Sequence, residues 1–503
     1  MSDSFDNTLL HTDLSELEKL RNYTFDSKML MSQRISSRIM NSSAVDMKRA
    51  YMENIMPWEL EIFTAYSVIY NDDSAVKELD LTAFAHLITY IRNYWDKAWT
   101  ELEASGDYSE AFMIRLAIQQ FPVQGVYLQK LFRYSYFFNF QNANLDMKSE
   151  FYKKFGAAYS TFDLSAFAIF LAFSNNEDIR ITSVEKADLL NKIFRSKVLM
   201  ATICIDQTDY IEEMQKLYNG DLLKMYYGLK AQYWWPLISG EKCIYVPCPF
   251  LIINAVTDSM LNRLTLDNVR LRNLIGKEVI ERYLYDLYAQ INGVNWISRE
   301  IEYRGSNGNE RTPDVLVAEG NYCTFYDTKG MVPNLKVREL NRNELEKDIE
   351  IYATAISKVY HQIKNYLSGM YELNTQYDLQ HLFGVIVMLD DIALSRSKIY
   401  SKAFEAYSEK YGSLRGDEKK YIHSHIKIIS LRQIETLLLE NSSFLPCLIE
   451  QAADERHWDD LWYLRSTEGN GLLPIYEDYV TDIKARFGHL IKNTLWNPET
   501  SIV

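Results

Sequence analysis

With 503 residues, 47% of them hydrophobic and 24% charged, the chain is too long for one ordinary core and too apolar for intrinsic disorder, so two or three compact units are expected. A net charge of −14 excludes a protein that grips nucleic acid through its overall field; contact with a polyanion must be local, made where bound metal ions reverse the sign. Five scattered cysteines, Cys204, Cys243, Cys248, Cys323 and Cys447, exclude a disulfide framework and fit a reducing cytoplasm, the expected location.

The first residues carry early acids and no apolar run after a basic start, which reads as neither a signal nor a transit peptide. From about Asp13 to Leu229, apolar residues recur at three- and four-residue spacings, the pattern of amphipathic helices. An α-helical domain is therefore expected over residues 1–232, with breaks at Pro57 and at Ser105-Gly106. Tyr134, Tyr136, Phe137, Phe138 and Phe140 crowd together with few basic residues between them, so they read as helix packing or a protein interface rather than a base-stacking surface. The apolar stretches at Leu164 to Phe173 and Ile244 to Val256 fall short of the roughly 20 residues a membrane span needs. They read as buried core, and no membrane is expected.

Near Tyr233 the texture changes. A hairpin turning at Ser239-Gly240 and a Pro-punctuated extended run are expected over 233–266, as a connector in which Cys243 and Cys248 are small apolar strand residues rather than zinc ligands. A helix follows from about Asp267 to Ile291, with Ile275, Val279, Tyr283, Leu287 and Ile291 along one face. Three strand-like runs come next, NWISREIEYR, TPDVLVAEG and YCTFYDTKG, then a long helix near Leu345 to Tyr371. LFGVIVMLDD reads as a buried central strand. The order αβββαβ predicts an α+β or α/β core with a mixed central sheet over 267–440. Leu394 to Gly412 should add a helix, HIKIIS a strand, LRQIETLLLEN a helix, and 441–503 a helical segment.

The chemistry concentrates in one hairpin. A two-residue turn at Gly320-Asn321 pairs Glu319 with Tyr322 and, counting outward, Asp314 with Asp327. Side chains alternate along a strand, so Lys329 shares a face with Asp327 and gathers two acids and an ammonium into one patch. Such a patch is costly inside a core without a cation. Mg2+ takes oxygen ligands, and one or two carboxylates plus phosphate oxygens suit its octahedral preference; a neighbouring lysine can hold the attacking water and stabilise charge on the phosphate.

Pro313-Asp314 followed by Asp327-Thr328-Lys329 resembles the Pro-Asp…(Asp/Glu)-x-Lys motif of the restriction-endonuclease-like nuclease superfamily, and the αβββαβ order is similar to its core. The resemblance covers roughly Asp267 to Asp391. It implies Asp314, Asp327 and the carbonyl of Thr328 as ligands of Mg2+, with Mn2+ a substitute, Lys329 on the water, and DNA as substrate in preference to RNA. It also implies an acid on the upstream helix. Gly276 and Ile280-Glu281 approach that pattern with one extra residue between glycine and acid, which leaves Glu278 as a competitor; Glu281 is preferred because it follows an apolar residue. Gln362 and Tyr366, one helical turn apart, resemble the Gln-x-x-x-Tyr element of the RecB-like branch and would position substrate or support the site. Lys336, Arg338 and Arg342 can supply local phosphate contacts. By analogy such chains are often bacterial defence or restriction effectors, which implies that the helical domain senses or binds a protein partner or a second copy; the alternative is a catalytically idle scaffold that binds nucleic acid. There is no phosphate-binding or dinucleotide glycine loop, no Gly-x-Ser-x-Gly elbow, and His423 and His425 lack neighbouring metal ligands.

Overall fold

Amphipathic spacing makes the N-terminal half helical in the computed structural model, which describes residues 14–40, 55–104, 129–175, 193, 196–218, 222–241, 243–305, 308–329, 342–389, 396–441, 443–453 and 473–491. The chain divides into two compact units. The described part of the first lies within residues 1–131 and 148–264, and that of the second within 132–147, 265–337 and 341–503.

In the first unit the helix Pro57–Ile69 is central. Pro57 suits its first turn, where no backbone donor is needed, and Glu59 reaches back to accept from the Met56 N–H at 2.8 Å. Leu60, Ile62, Phe63, Ala65 and Val68 are at most 1% exposed, packed between the helices Phe25–Met40 and Leu81–Ala104. The helix Tyr159–Asn175 contains the apolar run from Leu164 to Phe173 and buries Ala166, Phe167, Ile169 and Phe173. Among the described residues, no single helix is long and apolar enough to cross a membrane.

Three details differ from the sequence reading of this half. A small sheet is present: Leu237–Ser239 pairs antiparallel with Ile244–Tyr245 across the expected hairpin, and parallel with Cys204–Asp206, a strand too short to show alternation. The apolar run LIINAV is a helix, Leu251–Val256, rather than extended chain; buried on every side, it shows neither the helical nor the strand period. Residues 233–264 also belong to the first unit rather than to a separate connector. Ser32 and Ser36 of the helix Phe25–Met40 donate to the Pro247 carbonyl at 3.2 and 2.9 Å, and Tyr245, Cys248, Phe250 and Leu251 share that helix's core. Cys243 and Cys248 lie outside the strands, and all five cysteines are free thiols.

The second unit is mixed α+β. Its first helix, α1, spans residues 269–289 through Val269–Leu274, Ile275–Ile280 and Glu281–Ala289, the middle six residues wound as a π-helix. Then come β1 (Val294–Arg299), β2 (Glu302–Gly305), β3 (Gly308–Arg311), β4 (Val315–Glu319), β5 (Tyr322–Lys329), α2 (Arg342–Leu367), β6 (Leu382–Met388), α3 (Arg396–Tyr411), α4 (Gly416–His425), β7 (Ile426–Ser430) and α5 (Leu431–Asn441). The main sheet has the order β7-β6-β5-β4-β1. Its β1, β4 and β5 are antiparallel neighbours, while β5, β6 and β7 run parallel. A parallel step needs a crossover, and α2 supplies it between β5 and β6.

The run NWISREIEYR breaks after Arg299, and β2 and β3 form a separate hairpin. Arg311 bridges Glu300 and Glu302 at 2.7 and 2.6 Å, and Thr312 and Ile301 exchange hydrogen bonds of 3.0 and 2.8 Å at the base. Alternation continues through the break, which hides it from a reading of period alone. The aromatic crowd at 134–140 belongs to this unit: Tyr134, Phe137 and Phe138 are buried, and Tyr136 and Phe137 pack edge-on against Tyr283 of α1 at 5.1 and 5.3 Å. The unit also takes in 443–453 and 473–491, so it extends beyond the expected 267–440 at both ends.

Gly384, inside β6, lets α2 approach the sheet. A Cβ there would stand 2.6 Å from Val359 Cγ1 and 3.2 Å from Ile426, closer than packed carbons tolerate. Gly384→Ala is expected to cost about 1–3 kcal/mol by overpacking, read by chemical denaturation. Combining it with Val359→Ala should cost less than the two single losses added, and simple additivity would show that the pair does not set the helix-to-sheet distance.

Candidate functional site

The turn at Gly320, with φ +54°, fixes the register of β4 on β5: Glu319 faces Tyr322 and Val315 faces Tyr326. The pairing ends there, and at the bend before β4 Asp314 turns to Thr328, the residue after Asp327. The backbone leading to Asp314 is pinned from two sides, by the Thr312–Ile301 pair and by Gln362, whose Nε2 donates to the Arg311 carbonyl at 2.6 Å. Asp314 Oδ2 accepts from the Thr328 N–H at 2.6 Å and from Thr328 Oγ1 at 2.9 Å. In a strand the N–H and C=O of a residue point to the same edge, so the Thr328 carbonyl also faces Asp314's side, beyond the last paired residue of β4.

Asp327 is 1% exposed. Its Oδ2 lies against the Lys329 ammonium, but no hydrogen bond of ordinary geometry reaches it. Its Oδ1 faces Lys358 Nζ of α2 at 3.3 Å. Asp314 is pushed up to about 6, first by burial and then by the Asp327 charge, against the Thr328 N–H, Lys329 and Lys358.

Between Gly276 and Glu281 the helix is wound as a π turn, which takes one more residue than an α turn. Glu281 is pushed up to about 8 by burial first, then by Asp314 and Glu300, with Arg299 and Lys277 opposing. Glu278 points elsewhere, accepting from Asn142 and Asn144 side chains at 2.6 and 3.0 Å.

Of the other sequence candidates, Gln362 is 2% exposed and acts on the chain entering Asp314. Tyr366 is directed to the loop after α2, where its hydroxyl accepts from the Tyr377 N–H at 2.7 Å and its ring meets Tyr371 at 5.7 Å; its contacts are those of a packing residue. Lys336 and Arg338 lie outside the described residues, as does the side chain of Arg342. Lys358 escaped the sequence reading, although its place four residues before Gln362 puts it on the same helix face.

Among the described residues, no three His, Cys, Asp or Glu side chains gather closely enough to cage a metal ion. The donor set fits a cation that keeps waters and substrate oxygens in its shell, as Mg2+ does with one or two carboxylates. Asp327 is buried with only the Lys329 and Lys358 ammonium groups against its oxygens, Asp314 is hydrogen-bonded to the next residue, Thr328, and the Asp314 charge acts on Glu281.

Because both raised carboxyls hold protons that the unfolded chain has already released, stability without divalent ions falls as pH climbs from the ordinary carboxylate range toward 8. Glu281→Gln removes the larger of these costs. In EDTA the variant should melt a few degrees above the parent at pH 8.5, and the advantage should vanish near pH 4; a gain that persists in acid would show that ionisation is not its cause. Compared with known proteins, the chain matches no family model, no curated protein and no solved structure.

Proposed function

We propose that the second unit is a Mg2+-dependent nuclease with a restriction-endonuclease-like core that hydrolyses phosphodiester bonds of DNA, Mn2+ serving as a substitute ion. The observation that carries this reading is the buried Asp327 beside Asp314, whose carboxylate is hydrogen-bonded to Thr328, the residue after Asp327, with the Lys329 ammonium against Asp327. The sheet supports it: an antiparallel β1-β4-β5 meander followed by a helical crossover to parallel β6 puts the acids at the end of the hairpin, with α1 presenting Glu281 toward Asp314.

In this mechanism Asp314 and Asp327 would hold the ion, with the Thr328 carbonyl as a further ligand and Glu281 as an acid in its outer surroundings. When bound, it would lower the pKa of the attacking water and neutralise charge developing on the phosphate. Lys329 would orient that water and stabilise charge on the phosphate. Gln362 fixes the Arg311 carbonyl and so the approach of Asp314. The remaining negative charge of the chain confines phosphate contact to this locality. The helical first unit has the size and aromatic content of a sensing or recruiting module, which fits a bacterial defence or restriction effector working with a protein partner or a second copy of the chain.

The test is incubation of the full-length protein with supercoiled plasmid, linear duplex, single-stranded DNA and RNA, in Mg2+ or EDTA. Cleavage is expected in Mg2+ alone, with preference for DNA, and the Asp327→Ala/Lys329→Ala variant should lose at least about 100-fold of the rate. An idle scaffold would bind DNA without cutting it. If neither cleavage nor calorimetric Mg2+ binding is detected, the catalytic reading is overturned.

A further inference from the structure

Resting on the metal-site reading above, the geometry points to a second functional lysine, and we propose that Lys358 is a displaceable counter-ion: it holds Asp327 when no divalent cation is bound, and yields Asp327 Oδ1 to the cation and turns to a substrate phosphate when one is.

A buried carboxylate needs its charge cancelled, and Asp327 has two ammonium groups against it, one on each oxygen. They are not equivalent. Lys329 belongs to the same strand, makes the tighter contact and is 23% exposed in its side chain. Lys358 reaches from α2, stands 3.3 Å from Oδ1 and is 44% exposed. An ammonium has three donors, so one contact with Asp327 leaves two for groups arriving from solvent. The helix itself cannot follow the side chain: Val359 is wedged against Gly384, and Gln362, one turn on, is bonded to the Arg311 carbonyl. Only the flexible four-carbon stem of Lys358 is free to swing.

The charge balance favours this exchange. Asp314 and Asp327 against Lys329 and Lys358 sum to zero, so a divalent cation makes the locality positive while Lys358 stays near. Repulsion from the ion moves that ammonium outward, where a phosphodiester meets it. Lys358 thus opposes cation binding in the absence of substrate and supports it in the presence of substrate.

The experiment is a calorimetric titration of Mn2+ into the full-length parent, Lys358→Met, Lys358→Arg and Asp327→Ala, paired with cleavage kinetics at saturating Mn2+ and circular dichroism to check the fold. Removing one positive charge beside the ion should tighten Mn2+ binding of Lys358→Met on the order of tenfold while raising KM for DNA several-fold with kcat less affected; Lys358→Arg should stay near the parent in both. A lysine that only fills space would not tighten metal binding, and one that only pairs with Asp327 would leave KM for DNA unchanged. Unchanged or weaker Mn2+ binding by a folded Lys358→Met, with the parent binding and Asp327→Ala not, overturns the role of Lys358 and leaves the nuclease reading intact. A parent that binds no Mn2+ overturns both.

Discussion

A carboxylate that is 1% exposed on an interior strand stays ionised only if its charge is cancelled at short range, and the second unit is arranged around that requirement at Asp327. The side chain is closed off from solvent, so water cannot supply the compensation. It comes from Lys329 along the strand and from Lys358 across the helix-to-sheet interface. The second contact exists because residue 384 has no side chain: any Cβ would push Val359, and with it α2, away from the sheet. A glycine in a strand otherwise weakens it, and here close approach is the return. Gln362, on the same helix, meanwhile clamps the segment that delivers Asp314, so α2 sets the positions of both acids.

A second buried charge pair ties distant parts of the chain to this arrangement. Arg133 and Glu435 are both fully buried, with Nε 2.9 Å from Oε1. Arg133 also donates to the Leu389 carbonyl at 2.9 Å, one residue past the end of β6, and Glu435 accepts from Tyr283 at 2.6 Å. Tyr283 follows Glu281 by two residues and further contacts the Tyr476 hydroxyl. Removing one partner from such a pair costs about 3–5 kcal/mol, because the other charge is stranded. This accounts for why 132–147 and 473–491, far apart in sequence, share a compact unit with 265–441, and for why α1 keeps a fixed height relative to the sheet. A domain drawn from the motif alone leaves out both the arginine and the C-terminal tyrosine.

The parts legible in the sequence are those whose cause is local. The turn at Gly320-Asn321 sets the register of β4 on β5 from Glu319–Tyr322 to Val315–Tyr326, as counting outward from it predicts. The unbroken apolar run at Leu382 to Met388 reads as an interior strand because both its faces are covered. What stayed hidden depends on tertiary contact or on a change of period. The hairpin of β2 and β3 keeps the alternation of β1, so the chain's departure from the sheet leaves no mark. The helix Leu251–Val256 is apolar on every side. The π turn at Ile275–Ile280 leaves no mark in the apolar spacing, and neither does the bonding of Glu278 to Asn142 and Asn144. Lys358 carried a signal, one turn before Gln362, but ordinary exposed lysines share that spacing, and only the Val359–Gly384 contact gives it a consequence.

On the nuclease reading, the acidic character of the chain and a phosphate-directed site are compatible, because the sign of the field is decided locally and conditionally. Without a divalent cation, two ammonium groups balance Asp314 and Asp327, and Glu281, pushed up to about 8, contributes little negative charge near neutral pH. The site is then close to neutral inside an acidic protein and has weak attraction for a polyanion. A bound dication would change both terms: it would favour loss of the Glu281 proton, and it would leave Lys329 and Lys358 as cations beside a neutralised acid pair. Affinity for phosphate therefore appears with the metal rather than before it.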